Sequence, residues 1–417
     1  MIQVRHFSVT ELSSSSKKTL FQKIRNSNSS NTPNPNVLNY TKSTKLYFKW
    51  MFSNTTKLLN QYEENIMKSI EVSQPVKTDK KTVAGLHQIS FENTSTSEGL
   101  LTTPTVLIHG HGASGIFFHR NFKRFSGEIQ KLYTLDLPSI GLSTPKPFKV
   151  DYKATKYNLK LNKDTGVFDL KYESKDKAID AVKATEDYYI SALEEWRKEN
   201  KLGKINLVSH SFGGLLSFNY GLKYPENVEK LVLVSPVGME KSIFSINNST
   251  TSGLVQTKNP GLSNYFRPQL IPSIISRYGF TITKLLGPLG IKLISKYLAL
   301  RYNRTNSSKN FQQIDDFIHY TLLLFYQNSN SFQNLKVLSN QHLLALNPIL
   351  DNIHKINGKF PVMLMYGQFD WMNSNAGSIA NSLLSNSKFS IIENAGHNIF
   401  LDNPKEFNNQ VIEFLRN

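Results

Sequence analysis

The chain has 417 residues, no cysteine, and 49 Lys/Arg against 31 Asp/Glu, a net charge of +18. The missing cysteine excludes disulfides, thiolate catalysis and Cys-type zinc sites. No uncharged apolar run reaches the roughly 18 residues of a spanning helix, so we expect a soluble or peripheral protein. The positive charge suits nucleic acid or an anionic membrane surface, and since no nucleic-acid module is recognisable we expect the membrane.

The charge is uneven along the chain. Up to Tyr62 there are nine Lys/Arg and one acid, Glu11, and the first 36 residues are rich in Ser and Asn. Basic, serine-rich and acid-poor is the composition of a mitochondrial transit peptide, and no central apolar stretch marks a secretory signal. We therefore expect residues 1–60 to be a targeting segment. It would end in the aromatic, lysine-interleaved run Lys45-Leu46-Tyr47-Phe48-Lys49-Trp50-Met51-Phe52, which suits a lipid interface. The alternative is a stripe packed on the domain.

From about residue 86 to 236, strands alternate with crossovers, the pattern of a mostly parallel sheet flanked by helices. A strand at 105–108 runs into His109-Gly110-His111-Gly112, a turn whose backbone N–H groups, that of His111 first, are placed to stabilise an oxyanion. Histidines two apart on a glycine turn, lacking a carboxylate partner, make a poor metal site, and we expect none. A further strand covers 132–136. Residues 146–177 read as a surface insertion or hairpin, and 181–201 as a helix. Ile205-Asn206-Leu207-Val208 then reads as a buried strand ending in Ser209-His210-Ser211-Phe212-Gly213, followed by a helix. A serine at such a strand-to-helix turn is a nucleophile elbow, and the Phe212 N–H can face a developing oxyanion. Ser209 departs from the glycine expected first in G-x-S-x-G.

After the strand at 231–234 the α/β alternation stops. Residues 240–345 carry eleven Lys/Arg and three acids, and we expect a helical lid. Its middle mixes apolar residues with Arg277, Lys284, Lys292 and Lys296, a pattern that suits a membrane-facing helix. Lys284, Lys292 and Lys296 are the candidate lipid contacts. Strands at 360–366 and 389–392 lead to Asp370 and His397. The order Ser211, Asp370, His397, each just past the carboxyl end of a strand, is that of an α/β-hydrolase. The histidine takes the serine proton, and the carboxylate fixes its tautomer and charge. The core would be 61–239 plus 346–417.

Several runs carry a closer resemblance: Glu195-Trp196-Arg197-Lys198, Ser209-His210-Ser211-Phe212-Gly213-Gly214, Leu222-Lys223-Tyr224-Pro225-Glu226-Asn227-Val228, and Leu231-Val232-Leu233-Val234-Ser235-Pro236. So do Tyr62-Glu63-Glu64-Asn65-Ile66-Met67 and His397-Asn398-Ile399-Phe400-Leu401-Asp402. Together they resemble the α/β-hydrolase subfamily that includes the lipid-droplet lipase co-activator, the N-acyl-phosphatidylethanolamine hydrolases and the yeast mitochondrial cardiolipin-specific deacylase. The likeness covers roughly 62–417, while 146–177 and the lid match poorly. It implies a serine hydrolase without cofactor that acts on a glycerophospholipid acyl ester. Cardiolipin deacylation at the matrix side of the mitochondrial inner membrane is the first expectation. Transfer from acyl-CoA to lysophosphatidic acid is the alternative, because His397 and Asp402 form the family's H-x4-D element; Asp402 is then either a second catalytic carboxylate or support for the His397 loop. Family members with asparagine at the elbow act as non-catalytic co-activators, which makes a lipid-binding protein the third reading; Ser211 favours catalysis.

Overall fold

The computed structural model describes residues 38–417 apart from 73–74, 97–98, 166, 250–253, 256, 267–283, 304–310, 328–330 and 341. The transit-type segment 1–36 and Arg277 lie outside the described residues.

Two helices precede the sheet, α1 (Tyr40–Met51) and α2 (Thr55–Lys68). Each opens on an asparagine, Asn39 or Asn54, whose side chain accepts the backbone N–H three residues on and so satisfies an otherwise orphaned donor. Helical spacing puts Leu46 and Trp50 of α1, and Leu58, Leu59, Tyr62 and Ile66 of α2, on buried faces. Leu59 and Ile66 are wholly buried, each contributing about 1.5–3 kcal/mol. This corrects the expected boundary at residue 60, which falls inside α2: the folded body begins before Tyr40. The run from Lys45 divides by helical face, with Leu46 and Trp50 turned inward and Phe48, Met51 and Phe52 exposed.

Next come β1 (Val76–Val83), β2 (Leu86–Asn93), β3 (Thr105–Ile108), α3 (His119–Glu128) and β4 (Lys131–Leu135). A hairpin of β5 (Tyr157–Asn162) and β6 (Val167–Tyr172) precedes the long helix α4 (Lys175–Glu199). The hairpin occupies the expected insertion, but the helix begins six residues earlier than 181, because Ser174 caps it. Then follow β7 (Ile205–His210), α5 (Phe212–Lys223) and β8 (Val228–Val234). In the 240–345 stretch the described elements are β9 (Leu254–Val255), α6 (Pro288–Asn303), α7 (Phe311–Tyr326) and α8 (Ser331–Leu338). The chain returns through α9 (Ile349–Asn352), β10 (Val362–Gly367), α10 (Ser374–Ser382), β11 (Ser387–Ile392), α11 (Ile399–Asp402) and α12 (Pro404–Arg416).

The main sheet has eight strands in the order β1-β2-β4-β3-β7-β8-β10-β11. It is parallel from β4 to β11 and antiparallel where β1 and β2 extend it. Strands β3, β7 and β10 are buried along their whole length, which is why they read as mostly apolar and without alternation. The edge strand β1 is mostly exposed and carries three lysines, which discourages pairing with another chain. Flanking helices cover the sheet, α3 packing with α12 and α4 with α5. A second sheet, β5-β6-β9, joins the insertion hairpin to the 240–345 stretch. Helix α1 packs on α6 and α2 on α7, so the N-terminal helices clasp this stretch from outside the sheet. Among the described residues no helix is long and apolar enough to cross a membrane.

Candidate active site

The elbow is made by close approach. Ser211 sits between β7 and α5 with φ +53° and ψ −112°, a conformation that strains a residue with a side chain by about 1–3 kcal/mol. The surroundings hold it there. Its N–H donates to Val234 O at 2.9 Å, and its carbonyl accepts from Gly214 at 3.0 Å and Val237 at 3.1 Å. A Cβ on Gly213 would lie 2.5 Å from His109 O, so strand and helix can meet only with glycine there. Ser209, standing where the usual motif has glycine, is fully buried and pairs with Ser217 across 2.6 Å. Its hydroxyl is thereby satisfied inside the α5 contact.

His397 and Asp370 converge on this serine. His397 Nε2 lies 3.1 Å from Ser211 Oγ, and Nδ1 lies 3.1 Å from Asp370 Oδ1. Burial alone would raise the Asp370 carboxyl. The bond and charge of His397, with the Met372 N–H at 3.0 Å, outweigh it and hold the group below its ordinary value. An ionised Asp370 requires the Nδ1–H tautomer, leaving Nε2 free to accept the serine proton. The Asp370 and His397 turns touch through backbone: a Cβ on Gly367 would come within 2.2 Å of Gly396 O.

The backbone is held on both sides of His397. Asp402 Oδ2 accepts the Gly396 N–H at 2.8 Å, and His210 Nε2 donates to His397 O at 3.0 Å. Asp402 thus reaches the catalytic histidine candidate through backbone, the loop-supporting alternative for the H-x4-D carboxylate. Arg120 interacts electrostatically with Asp402 and donates to Leu401 O.

His111 and Phe212 are also brought together, their rings meeting edge-on at 6.3 Å. Phe212 is the first residue of α5, where a backbone N–H has no intrahelical acceptor. A Cβ on Gly110 would lie 2.9 Å from Ser211 Cβ, so the His-Gly turn adjoins the elbow. Burial and the neighbouring His109 push the His111 imidazole down to about 4, so its ring is neutral at physiological pH. His109 uses both ring nitrogens on backbone, Nδ1 donating to Gly110 O at 2.7 Å and Nε2 accepting from Leu137 at 2.9 Å.

Sequence reasoning missed the support beneath the turn. Asp136, at the end of β4, accepts the Gly115 N–H at 2.7 Å through Oδ1 and the Leu142 N–H at 2.8 Å through Oδ2. It thereby ties the loop after β3 to the loop after β4. Behind it, Glu63 of α2 is fully buried and bonded to His87 Nε2 at 3.0 Å, with Lys80 at 3.5 Å. Burial opposes charge on His87, but Glu63 wins and raises its pKa. Ligand atoms of Glu63, His87 and Asp136 lie within 4.8 Å of one another. Both Asp136 oxygens are already occupied and Lys80 supplies a cation, so the cluster is satisfied as a charge network. The run at Tyr62 is the signal that pointed here, though not to burial of its carboxylate.

Of the lid lysines, Lys292 and Lys296 are exposed on α6 beside exposed Leu289, Leu293 and Tyr297. Lys284 differs from expectation: it is half-buried, donates to Gln327 O at 3.4 Å, and burial lowers its pKa. The Gln327 side chain in turn bonds Gly141 in both directions, at 2.8 and 3.0 Å, so Lys284 is tied within the 240–345 stretch to the residue that meets the core.

A mostly parallel eight-stranded sheet with a serine presented at the β7–α5 elbow defines an α/β hydrolase. The chain belongs to that family: the profile described as alpha/beta hydrolase fold matches residues 103–404. Within it the chain falls in the expected subfamily. It is similar to Protein ECM18 of Saccharomyces cerevisiae, 36% identical over 86% of this chain and 80% of that protein. It is equally similar to the 1-acylglycerol-3-phosphate O-acyltransferase ICT1 of the same yeast, 36% identical over 86% of this chain and 92% of that one. The 1-acylglycerol-3-phosphate O-acyltransferase ABHD5 of Rattus norvegicus is 24% identical over 86% and 89%. Among solved structures, carboxylesterase CesB of Bacillus subtilis superposes with TM-score 0.52 at 15% identity, over 87% of this chain and 98% of that one, a likeness of fold alone.

Proposed function

We propose that the protein is a serine-dependent acyl-transfer enzyme acting on glycerophospholipids through an acyl-enzyme. The chain of two 3.1 Å contacts, Ser211 to His397 to Asp370, carries this reading. Ser211 Oγ attacks the acyl carbonyl as His397 Nε2 takes its proton. Asp370 holds the imidazole and stabilises its charged form. The N–H groups of His111 and Phe212 receive the oxyanion. His397 then protonates the leaving group, and the acyl chain remains on Ser211. In the second half-reaction His397 deprotonates an acceptor oxygen, which attacks the ester and releases Ser211. No cofactor enters these steps.

The acceptor we assign first is the free hydroxyl of lysophosphatidic acid, with acyl-CoA as donor, because two relatives bear the name 1-acylglycerol-3-phosphate O-acyltransferase. Water as acceptor gives the second reading, a phospholipase A that deacylates cardiolipin. The exposed apolar residues of α1 and α6 with their lysines favour an anionic lipid surface for both. The composition of 1–36 supports import into mitochondria and a peripheral place on the matrix face of the inner membrane.

The test uses purified protein and Ser211→Ala, with fatty acid, phosphatidic acid and monolyso-cardiolipin measured by mass spectrometry. Wild type should form at least one product and the variant none. Full turnover by a folded Ser211→Ala protein would sink the reading; monolyso-cardiolipin without phosphatidic acid would select water as the acceptor.

A further inference from the structure

We propose that Trp371 is the specificity-determining residue that decides whether the acyl group passes to a lipid hydroxyl or to water. The inference rests on the acyl-enzyme reading above. Either acceptor must lose its proton to the same atom, His397 Nε2, so the choice is made by what surrounds that ring. Two aromatic rings bound it. The Trp371 indole lies 4.7 Å from the imidazole at an interplanar angle of 47°, and the His210 ring also lies at 4.7 Å. His210 is buried and backed by Phe400 at 5.0 Å. Trp371 is different: 41% of its surface remains open to solvent, although the His397 side chain it covers is only 10% exposed.

The exposure is built in. The same turn that buries the Asp370 side chain displays its two neighbours, Phe369 and Trp371. The turn is fixed at three points: Phe369 N–H to Ala395 O at 2.9 Å, Asp370 N–H to Gly367 O at 3.0 Å, and Met372 N–H to Asp370 Oδ1 at 3.0 Å. A large aromatic held partly out of the fold against a histidine, with the exposed Phe369 two residues before it, forms an apolar contact surface for a ligand. An acyl chain or glycerol backbone fits it, whereas water gains nothing from it. An acceptor lipid resting on the indole displaces water from the approach to Nε2, and the acyl-enzyme is then taken by the lipid oxygen. In that step the acceptor oxygen bonds to the acyl carbon, its proton passes to Nε2, and the Ser211 Oγ–acyl bond breaks with Oγ recovering the proton. With water the same exchange yields free fatty acid.

The experiment compares the full-length protein with Trp371→Ala and Trp371→Phe. Oleoyl-CoA is the donor and 1-oleoyl-lysophosphatidic acid the acceptor, in mixed micelles. The readout is the ratio of phosphatidic acid to fatty acid, with fluorophosphonate labelling of Ser211 reporting an intact nucleophile. Trp371→Ala should lower the ratio about tenfold, the low end of what one apolar contact discriminates, and Trp371→Phe should restore most of it. An unchanged ratio in labelled Trp371→Ala would overturn the proposal. So would proportional loss of both products with labelling in both variants, which would make Trp371 mere packing for His397. Wild type yielding only fatty acid would also overturn it while leaving the serine nucleophile standing. Product formation by Ser211→Ala would instead remove the acyl-enzyme reading itself.

Discussion

Replacing Asp402 separates two meanings of the H-x4-D element. Its Oδ2 holds the Gly396 N–H at 2.8 Å, one residue before the histidine that contacts Ser211. A hydrogen bond to a charged group contributes about 1.5–3 kcal/mol, so Asp402→Ala should lower kcat roughly ten- to hundredfold by letting His397 drift. Asp402→Asn keeps a neutral acceptor and should lose only about fivefold. Asp370→Asn, which spoils the tautomer, should lose about 10⁴-fold. The decisive feature is uniformity: because His397 would serve both acceptors, fatty acid release and phosphatidic acid formation must fall by the same factor in each Asp402 variant. Measuring both products in one reaction, with thermal unfolding as a control for fold, provides the assay. Selective loss of transfer with hydrolysis intact would refute the argument and make Asp402 a reacting group.

Glu186 of α4 is buried between the Asn219 amide at 2.9 Å and the Asn347 amide at 3.0 Å, and burial pushes its pKa up from 4.5 to about 7 against those bonds. Its folded state prefers the proton, so its stabilising contribution is complete below about 4.5 and fades as pH rises through about 7. Glu186→Gln should flatten that decline, gaining about 3 kcal/mol relative to wild type above neutrality; parallel melting curves across pH would contradict it. Neutralising Lys292 and Lys296 together should weaken partition onto anionic vesicles roughly thirtyfold, less at high salt, in a sedimentation assay. Lys284→Glu should instead lower melting temperature, its ammonium being tied to Gln327; equal partition losses from all three lysines would be the contrary result. Deleting residues 1–36 should leave turnover intact and abolish mitochondrial import in fractionated cells. Deleting 1–68 should yield no folded protein, since it removes the wholly buried Leu59, Glu63 and Ile66.

The site was legible where chemistry and punctuation coincide. Ser211, Asp370 and His397 each follow a strand whose apolar run ends in a turn residue, and their order along the chain needed no structure. Strand β1 was not legible: Lys77-Thr78-Asp79-Lys80-Lys81 follows edge chemistry, and its partner β2 supplies the buried side. The N-terminal boundary was misplaced because lysines interleaved with aromatics fit both a lipid interface and an amphipathic helix. Only the 46, 50 spacing of the inward residues distinguishes them, and it is short. Asp136 escaped notice because its partners are backbone N–H groups of two loops, an arrangement with no pattern of residue types. Trp371 was visible beside Asp370, yet nothing in spacing reveals that its ring leans on His397 and not on the core.

The clasp of α2 on α7 bears on the order in which the molecule assembles. Asn65 donates to Asp316 at 3.4 Å across 251 positions, and Tyr62 meets the His319 ring at 5.5 Å. Tyr62 and Asn65 therefore find their seat only after residues 316–319 have been made, and closing so long a loop is slow compared with forming local helices. During synthesis Glu63 must stay hydrated until Lys80 and His87 are in place to pair with it. Helix α2 is thus among the last pieces to settle, and its docking registers that the 240–345 stretch and the sheet have both been completed.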